Sequence, residues 1–171
     1  IERGRIGETW RSQRWDSFMM NTANRINTLP GASYRGKKPE GYSSATEFIT
    51  ALESYVSKFQ LPVTENTNVI SIEKPVSSPY FIVTVKHEHE PPKKLNCWQV
   101  IIASGTLNEK KLPTFASLIS PEIKQIHTSE YRNPARLPDG AVMVIGSAQS
   151  GCQVAEDLLE AGRRVYLSTS Q

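Results

Sequence analysis

Apolar and polar positions alternate with clear periods in three parts of the chain and lose all period between them. The clearest part lies near the end. Five apolar residues, Ala141 to Ile145, run without interruption into Gly146, the pattern of a buried parallel strand. Beyond Gly151, residues Val154, Ala155, Leu158, Leu159 and Ala161 fall on one helical face and Glu156, Asp157 and Glu160 on the other, with Gly162 placed to end the helix. Val165 to Thr169 then predicts a second strand. In the middle, Ser44-Ala45-Thr46-Glu47 has the form of a capping box. It opens a helix with Phe48, Leu52, Tyr55, Val56 and Phe59 on one face, stopped at Leu61-Pro62.

Three strands are predicted next. Val69 to Glu73 and Tyr80 to Val85 alternate, and Asn96 to Ala103 closes with the apolar run Val100 to Ala103, so an antiparallel meander is expected with His87 to Lys94 as a polar turn. Thr9 to Asn27 has no clean period, yet Trp10, Trp15 and Phe18 carry too much apolar area to be left disordered.

Composition narrows the function classes. A net charge of +3 spread over 171 residues gives no basic patch for nucleic acid, and no apolar run approaches the roughly twenty residues of a membrane helix. His87 and His89 lack a third ligand nearby and read as a solvated hairpin tip, so no metal site is predicted. Cys97 and Cys152 fit neither a metal nor a C-x-x-C spacing, which points to a reducing, cytoplasmic setting.

The chemistry concentrates in Gly146-Ser147-Ala148-Gln149-Ser150-Gly151. A strand turning into a helix through glycines directs unpaired N–H groups and the positive end of the helix dipole at one point, and this suits a pyrophosphate. The pattern departs from G-x-G-x-x-G at Ala148, whose methyl stands where the ligand should approach. A strand and helix packed through small residues, with no ligand, is the competing reading. Where an NAD site would place a carboxylate for the ribose, this chain has Ser168-Thr169-Ser170, which favours NADPH.

Four stretches together, Ile1 to Trp10, Met20 to Thr22, Ile101 to Gly105 and His127 to Gly151, resemble the flavin-containing monooxygenase family and its bacterial branch of flavoproteins. The resemblance spans essentially the whole chain. It implies an α/β fold with two Rossmann-like dinucleotide-binding domains: residues 1–110 of an FAD domain lacking its first β-α unit, and residues 111–171 of an incomplete NADPH domain. It places Glu2 on the FAD ribose, Arg3 and Trp10 along the adenine, pyrophosphate and flavin, the Val69 backbone at the adenine, and Ala103-Ser104-Gly105 at the turn returning to the flavin. Gly7-Glu8 stands where relatives often have two glycines. Asn21, followed by Thr22, matches the Asn beside the isoalloxazine, where an amide donor helps hold oxygenated flavin. His127, Thr128 and Tyr131 match an NADPH-side motif, with Thr169 at the ribose.

The implied function is a cytoplasmic monooxygenase using FAD, NADPH and oxygen to oxygenate a small nucleophilic or carbonyl substrate through a C4a-peroxyflavin. The expected partners are that substrate and oxygen, with no nucleic acid or membrane, and homodimer formation through an open sheet edge. An FAD-dependent NADPH oxidoreductase that never oxygenates, and a non-catalytic nucleotide-binding module, are the alternatives. Ile1-Glu2-Arg3 reads as a strand already in progress and Gln171 falls just past one, so a piece of a larger protein is expected, one that binds FAD weakly by itself.

Overall fold

The computed structural model describes residues 1–105 and 109–169. The chain divides into two compact units, one of Ile1–Glu8 with Ala51–Glu109 and one of Thr9–Thr50 with Lys110–Gln171.

In the first unit, β1 (Thr67–Glu73), β2 (Phe81–His87) and β3 (Lys93–Cys97) form an antiparallel sheet in the order β1-β2-β3. The expected meander is therefore present. Alternation along β2 buries Val83 and Val85 at 4% and 6% exposure, the inward face of the sheet. The β1–β2 register shifts between Val69 and Ser71, leaving Ile70 as the extra residue of a bulge. The third strand differs from its expected place. Lys93–Cys97 pairs with Phe81 to Val85 after a short turn held by a Glu90–Lys93 ion pair at 2.5 Å, while the apolar run that follows forms no strand. Ile101 and Ile102 are 88% and 77% exposed, because β2 is already paired on both sides and offers that run no free edge. His87 accordingly belongs to β2 and Lys93 and Lys94 to β3, not to the turn.

Ile1 to Arg3 is not a regular strand either. Three backbone hydrogen bonds nevertheless tie this segment to residues 64–67: Glu2 N to Thr64 O, Thr67 N to Glu2 O and Asn66 N to Gly4 O, at 2.8 to 3.0 Å.

The second unit contains the expected β-α-β. Strand β4 (Val142–Ile145) pairs in parallel with β5 (Val165–Ser168), and helix α3 (Gln149–Glu160) crosses between them. Two helices precede it in the chain, the first shorter than α3 and the second longer. Helix α1 (Glu8–Ser12) interrupts the aperiodic segment, and α2 (Ala45–Phe59) opens on the predicted capping box. There Ser44 Oγ accepts from Glu47 N at 3.2 Å, and the Glu47 carboxylate accepts from Ser44 N at 2.8 Å. The Ser44 backbone donor holds the Glu47 carboxyl below the usual carboxylate range.

The core of this unit gathers Trp15, Phe18, Tyr131, Val144, Val154, Ala155 and Leu158. Trp15 meets Phe18 edge-on at 5.1 Å between ring centroids; both are buried as expected, while Trp10 is half-buried against the same core. Strand β4 is less buried than its sequence predicts. Only Val144 is buried, while Met143 and Ile145 are 63% and 49% exposed, because α3 packs on one face of the pair and nothing described covers the other. Leu159, expected on the apolar face of α3, is likewise 59% exposed.

Candidate functional site

The turn from β4 into α3 has the shape its glycines predict. Gly146 adopts φ +102, a conformation that side-chain-bearing residues rarely take, with open space beside it. Gly151 is needed for the opposite reason. A Cβ on it would overlap the Gly146 carbonyl oxygen and lie 3.0 Å from the carbonyl carbon, so the first turn of α3 rests directly on the glycine turn. Ala148 is the N-cap of α3, extended at φ −72 and ψ 175, and supplies no side-chain cap. The first N–H groups of α3 thus have no capping side chain to satisfy them. Ser147, Ala148, Gln149 and Ser150 are exposed. These features fit a phosphate group: an uncapped helix start, a glycine backbone held open, and no carboxylate among the six residues of the turn.

The carboxyl ends of both strands meet at this turn. Ile145 pairs with Ser168, and Gly146 N donates to Ser168 O at 2.9 Å. Ser168 and Thr169 are exposed there, and Ser170, the third hydroxyl of the predicted ribose end, lies outside the described residues.

Helix α3 also holds Asn21. Gln153 Nε2 donates to Asn21 Oδ1 at 2.7 Å and lies 3.4 Å from Met19 O. One turn further along, Asp157 Oδ1 accepts from Ser17 Oγ at 2.6 Å and Asp157 Oδ2 accepts from the Tyr131 hydroxyl. The residue read as part of the wet face of α3 is therefore the centre of a polar network. Tyr131 itself is 2% exposed within the aromatic core. Burial, reinforced by the bond to Asp157, pushes its phenol well above the usual range.

Neighbouring residues fix the loop from both sides. Thr22 Oγ1 bonds to Asn27 Oδ1, and Asn27 Nδ2 donates to Thr22 O at 2.8 Å. Arg132 donates to the carbonyl oxygens of Ser12 and, at 2.9 Å, of Arg14, which anchors the segment between α1 and Trp15. His127 Nδ1 accepts from Ser129 N at 3.2 Å, and the Glu130 carboxylate accepts from His127 N at 3.0 Å. Lys110 Nζ reaches the same carboxylate at 2.7 Å and is the main cause of its lowered pKa. Thr128 is half-buried beside His127. Trp10 packs edge-on against Phe48 at 4.8 Å.

The remaining candidates belong to the first unit. Glu2 accepts from Gly4 N at 2.9 Å through Oε1, Arg3 is exposed, and Val69 sits beside the Ile70 bulge. Ala103, Ser104 and Gly105 are exposed, with Gly105 at φ +79. Each unit thus presents its own set of candidates: Glu2, Arg3, Val69 and Ala103 to Gly105 in the first, and Trp10, the Asn21 loop, His127 to Tyr131 and the glycine turn in the second. Among the described residues, no group of three His, Cys, Asp or Glu could hold a metal ion, and no helix is long and apolar enough to cross a membrane.

Gln153, Asp157, Ser17 and Arg132 were not singled out by the sequence pattern. The available signal was the i, i+4 spacing of Gln153 and Asp157 at the margin of an apolar stripe, where a polar side chain can reach a packed neighbour.

The chain is similar to known proteins over nearly its whole length. It is 39% identical over 164 residues to an uncharacterized CzcO-like oxidoreductase of Geobacillus kaustophilus, covering 96% of this chain and 44% of that one. The chain therefore spans less than half the length of this relative. Among solved structures, a flavin monooxygenase from Stenotrophomonas maltophilia superposes with a TM-score of 0.81 at 22% identity, over 95% of this chain and 46% of the other. OTEMO, solved in complex with FAD and NADP, superposes with a TM-score of 0.67 at 21% identity, over 99% and 33%. The chain shares the α/β fold of these solved structures, a flavin monooxygenase among them. The model of the pyridine nucleotide-disulphide oxidoreductase family matches residues 1–171, and the chain belongs to that family.

Proposed function

We propose that the protein is an NADPH- and FAD-dependent monooxygenase acting on a small nucleophilic or carbonyl substrate with oxygen. The observation that carries this reading is the Gly146 to Gly151 turn, where an uncapped helix start and an open glycine backbone meet the hydroxyl-bearing end of β5. In this reading Gly146, Ser147, Ala148, Gln149, Ser150 and Gly151 hold the NADPH pyrophosphate, Thr169 faces the ribose, and His127 and Thr128 approach from the connecting segment. Glu2, Arg3, Trp10, Val69 and Ala103 to Gly105 hold FAD, with residues 1–110 forming the flavin domain and residues 111–171 the NADPH domain. The FAD and NADP bound to OTEMO support both cofactors. Bound FAD would supply hydride acceptance from NADPH and oxygen activation at its C4a carbon, one oxygen atom passing to the substrate and the other leaving as water. Asn21 would present its amide Nδ2 as a donor toward that oxygen, since its Oδ1 is already taken by Gln153. A cytoplasmic location belongs to the same proposal.

A second reading, an NADPH oxidoreductase that reduces its flavin without oxygenating a substrate, is favoured by the disulphide-oxidoreductase description of the family. Rapid mixing of reduced full-length protein with oxygen separates the two. A long-lived absorbing species distinct from oxidised flavin, with product oxygen drawn from labelled O2, is the outcome for a monooxygenase. Immediate return to oxidised flavin, with all electrons recovered as hydrogen peroxide, selects the second reading.

A further inference from the structure

We infer that Gln153 is a positioning residue that sets which end of the Asn21 amide is offered to the reaction. The inference rests on the monooxygenase reading and extends it to a side chain that neither the glycine turn nor the Asn21 loop contains. An amide side chain has a donor end and an acceptor end of nearly equal size, and sterics alone do not choose between them. Here the choice follows from two partners, Asn21 at 2.7 Å and the Met19 carbonyl at 3.4 Å. The Met19 carbonyl can only accept, so the end of Gln153 facing the loop is its nitrogen. Asn21 must then answer with its oxygen, at 2.7 Å. Its Nδ2 is left without a protein partner among the described residues, on an exposed side chain.

The backbone around Asn21 is held independently. Met20 N donates to Ser43 O at 2.8 Å, Ser17 is held by Asp157, and Thr22 is tied to Asn27. Removing Gln153 therefore frees the Asn21 amide while the loop keeps its anchors. Gln153 lies on α3, one turn beyond Gln149 at the start of the helix. The helix that begins at the glycine turn thus also determines the polarity of the Asn21 side chain.

The test compares Gln153→Met and Gln153→Glu in the full-length protein. Methionine keeps the length and removes the donor. The carboxylate of Gln153→Glu only accepts, so Asn21 must turn over to donate Nδ2 to it and present Oδ1 instead. Both variants are expected to fold and keep FAD, and both are expected to lose on the order of tenfold in oxygenated product per NADPH at neutral pH, the electrons appearing as hydrogen peroxide. Gln153→Glu alone is expected to recover coupling as pH falls through its carboxyl range, where the protonated acid donates to Asn21 again. A readout independent of turnover is the side-chain amide spectrum of 15N-asparagine-labelled protein, in which the Asn21 resonances should move between parent and Gln153→Glu.

Equal coupling in parent and both variants overturns the positioning role while leaving the monooxygenase reading intact. Equal loss in both variants with no recovery at low pH reduces Gln153 to a packing residue and also overturns it. Unmoved Asn21 resonances overturn it whatever the parent's activity. A parent that returns all electrons as peroxide instead overturns the monooxygenase reading, and the inference with it.

Discussion

Gly151 packs so closely on Gly146 that a Cβ on the first would overlap the carbonyl oxygen of the second. The obstacle is backbone, with no flexible side-chain end to move aside, so Gly151→Ala must shift either the start of α3 or the turn. Overpacking of this kind costs about 1–3 kcal/mol. The expected result is a lower urea midpoint with unchanged slope, together with weaker NADPH binding. A variant with parental midpoint and affinity would show that α3 can slide away from the turn.

The hydroxyl of Tyr131 bonds Asp157 inside the core, and burial is the main cause of its raised pKa. A phenol whose pKa is higher folded than unfolded keeps its proton in the native state at pH values where the unfolded chain has lost it. Its contribution is therefore complete below the unfolded value, about pH 10, and declines as pH rises above that. Tyr131→Phe should lower stability at neutral pH by about 1 kcal/mol and flatten the alkaline decline. Parallel pH–stability curves for parent and variant above pH 10 would contradict this.

Ser168 ends β5 beside Gly146 and Thr169 follows it, with no carboxylate at either position. NADPH should be used with higher kcat/KM than NADH. Thr169→Glu should narrow that preference about fivefold, from roughly 1 kcal/mol of added repulsion between exposed charges. A parent that uses NADH equally well removes β5 from the 2′-phosphate site.

Asn21→Ala removes the amide altogether. FAD content should be unchanged, while coupled oxygenation falls by roughly 3 kcal/mol of lost stabilisation and peroxide release rises. Parental coupling in this variant would make Asn21 a loop residue only.

The β-α-β and the capping box were legible in the sequence because their signals are local. Helical spacing from Val154 to Leu158, glycines at Gly146, Gly151 and Gly162, and Ser44 three residues before Glu47 each depend only on near neighbours. The third strand was not legible, since Val100 to Ala103 has better strand composition than Lys93–Cys97 and what decides is which run reaches the free edge of β2 first. The polar network around Asn21 was hidden for the same reason. Gln153 and Asn21 lie 132 positions apart, and Asp157 and Ser17 lie 140 apart, so only the folded chain brings them together.

Arg132 reaches back 118 positions to the Arg14 carbonyl, and the unit it helps close is built from Thr9–Thr50 and Lys110–Gln171. During synthesis, at roughly 5–20 residues per second, the first of these segments emerges many seconds before Tyr131 and α3 exist to receive it. Trp15 and Phe18, later among the most buried side chains, must spend that interval without a core. A wait for the later segment is therefore built into the connectivity of this unit, and a chaperone that shelters Thr9–Thr50 during that interval should raise the yield of native protein.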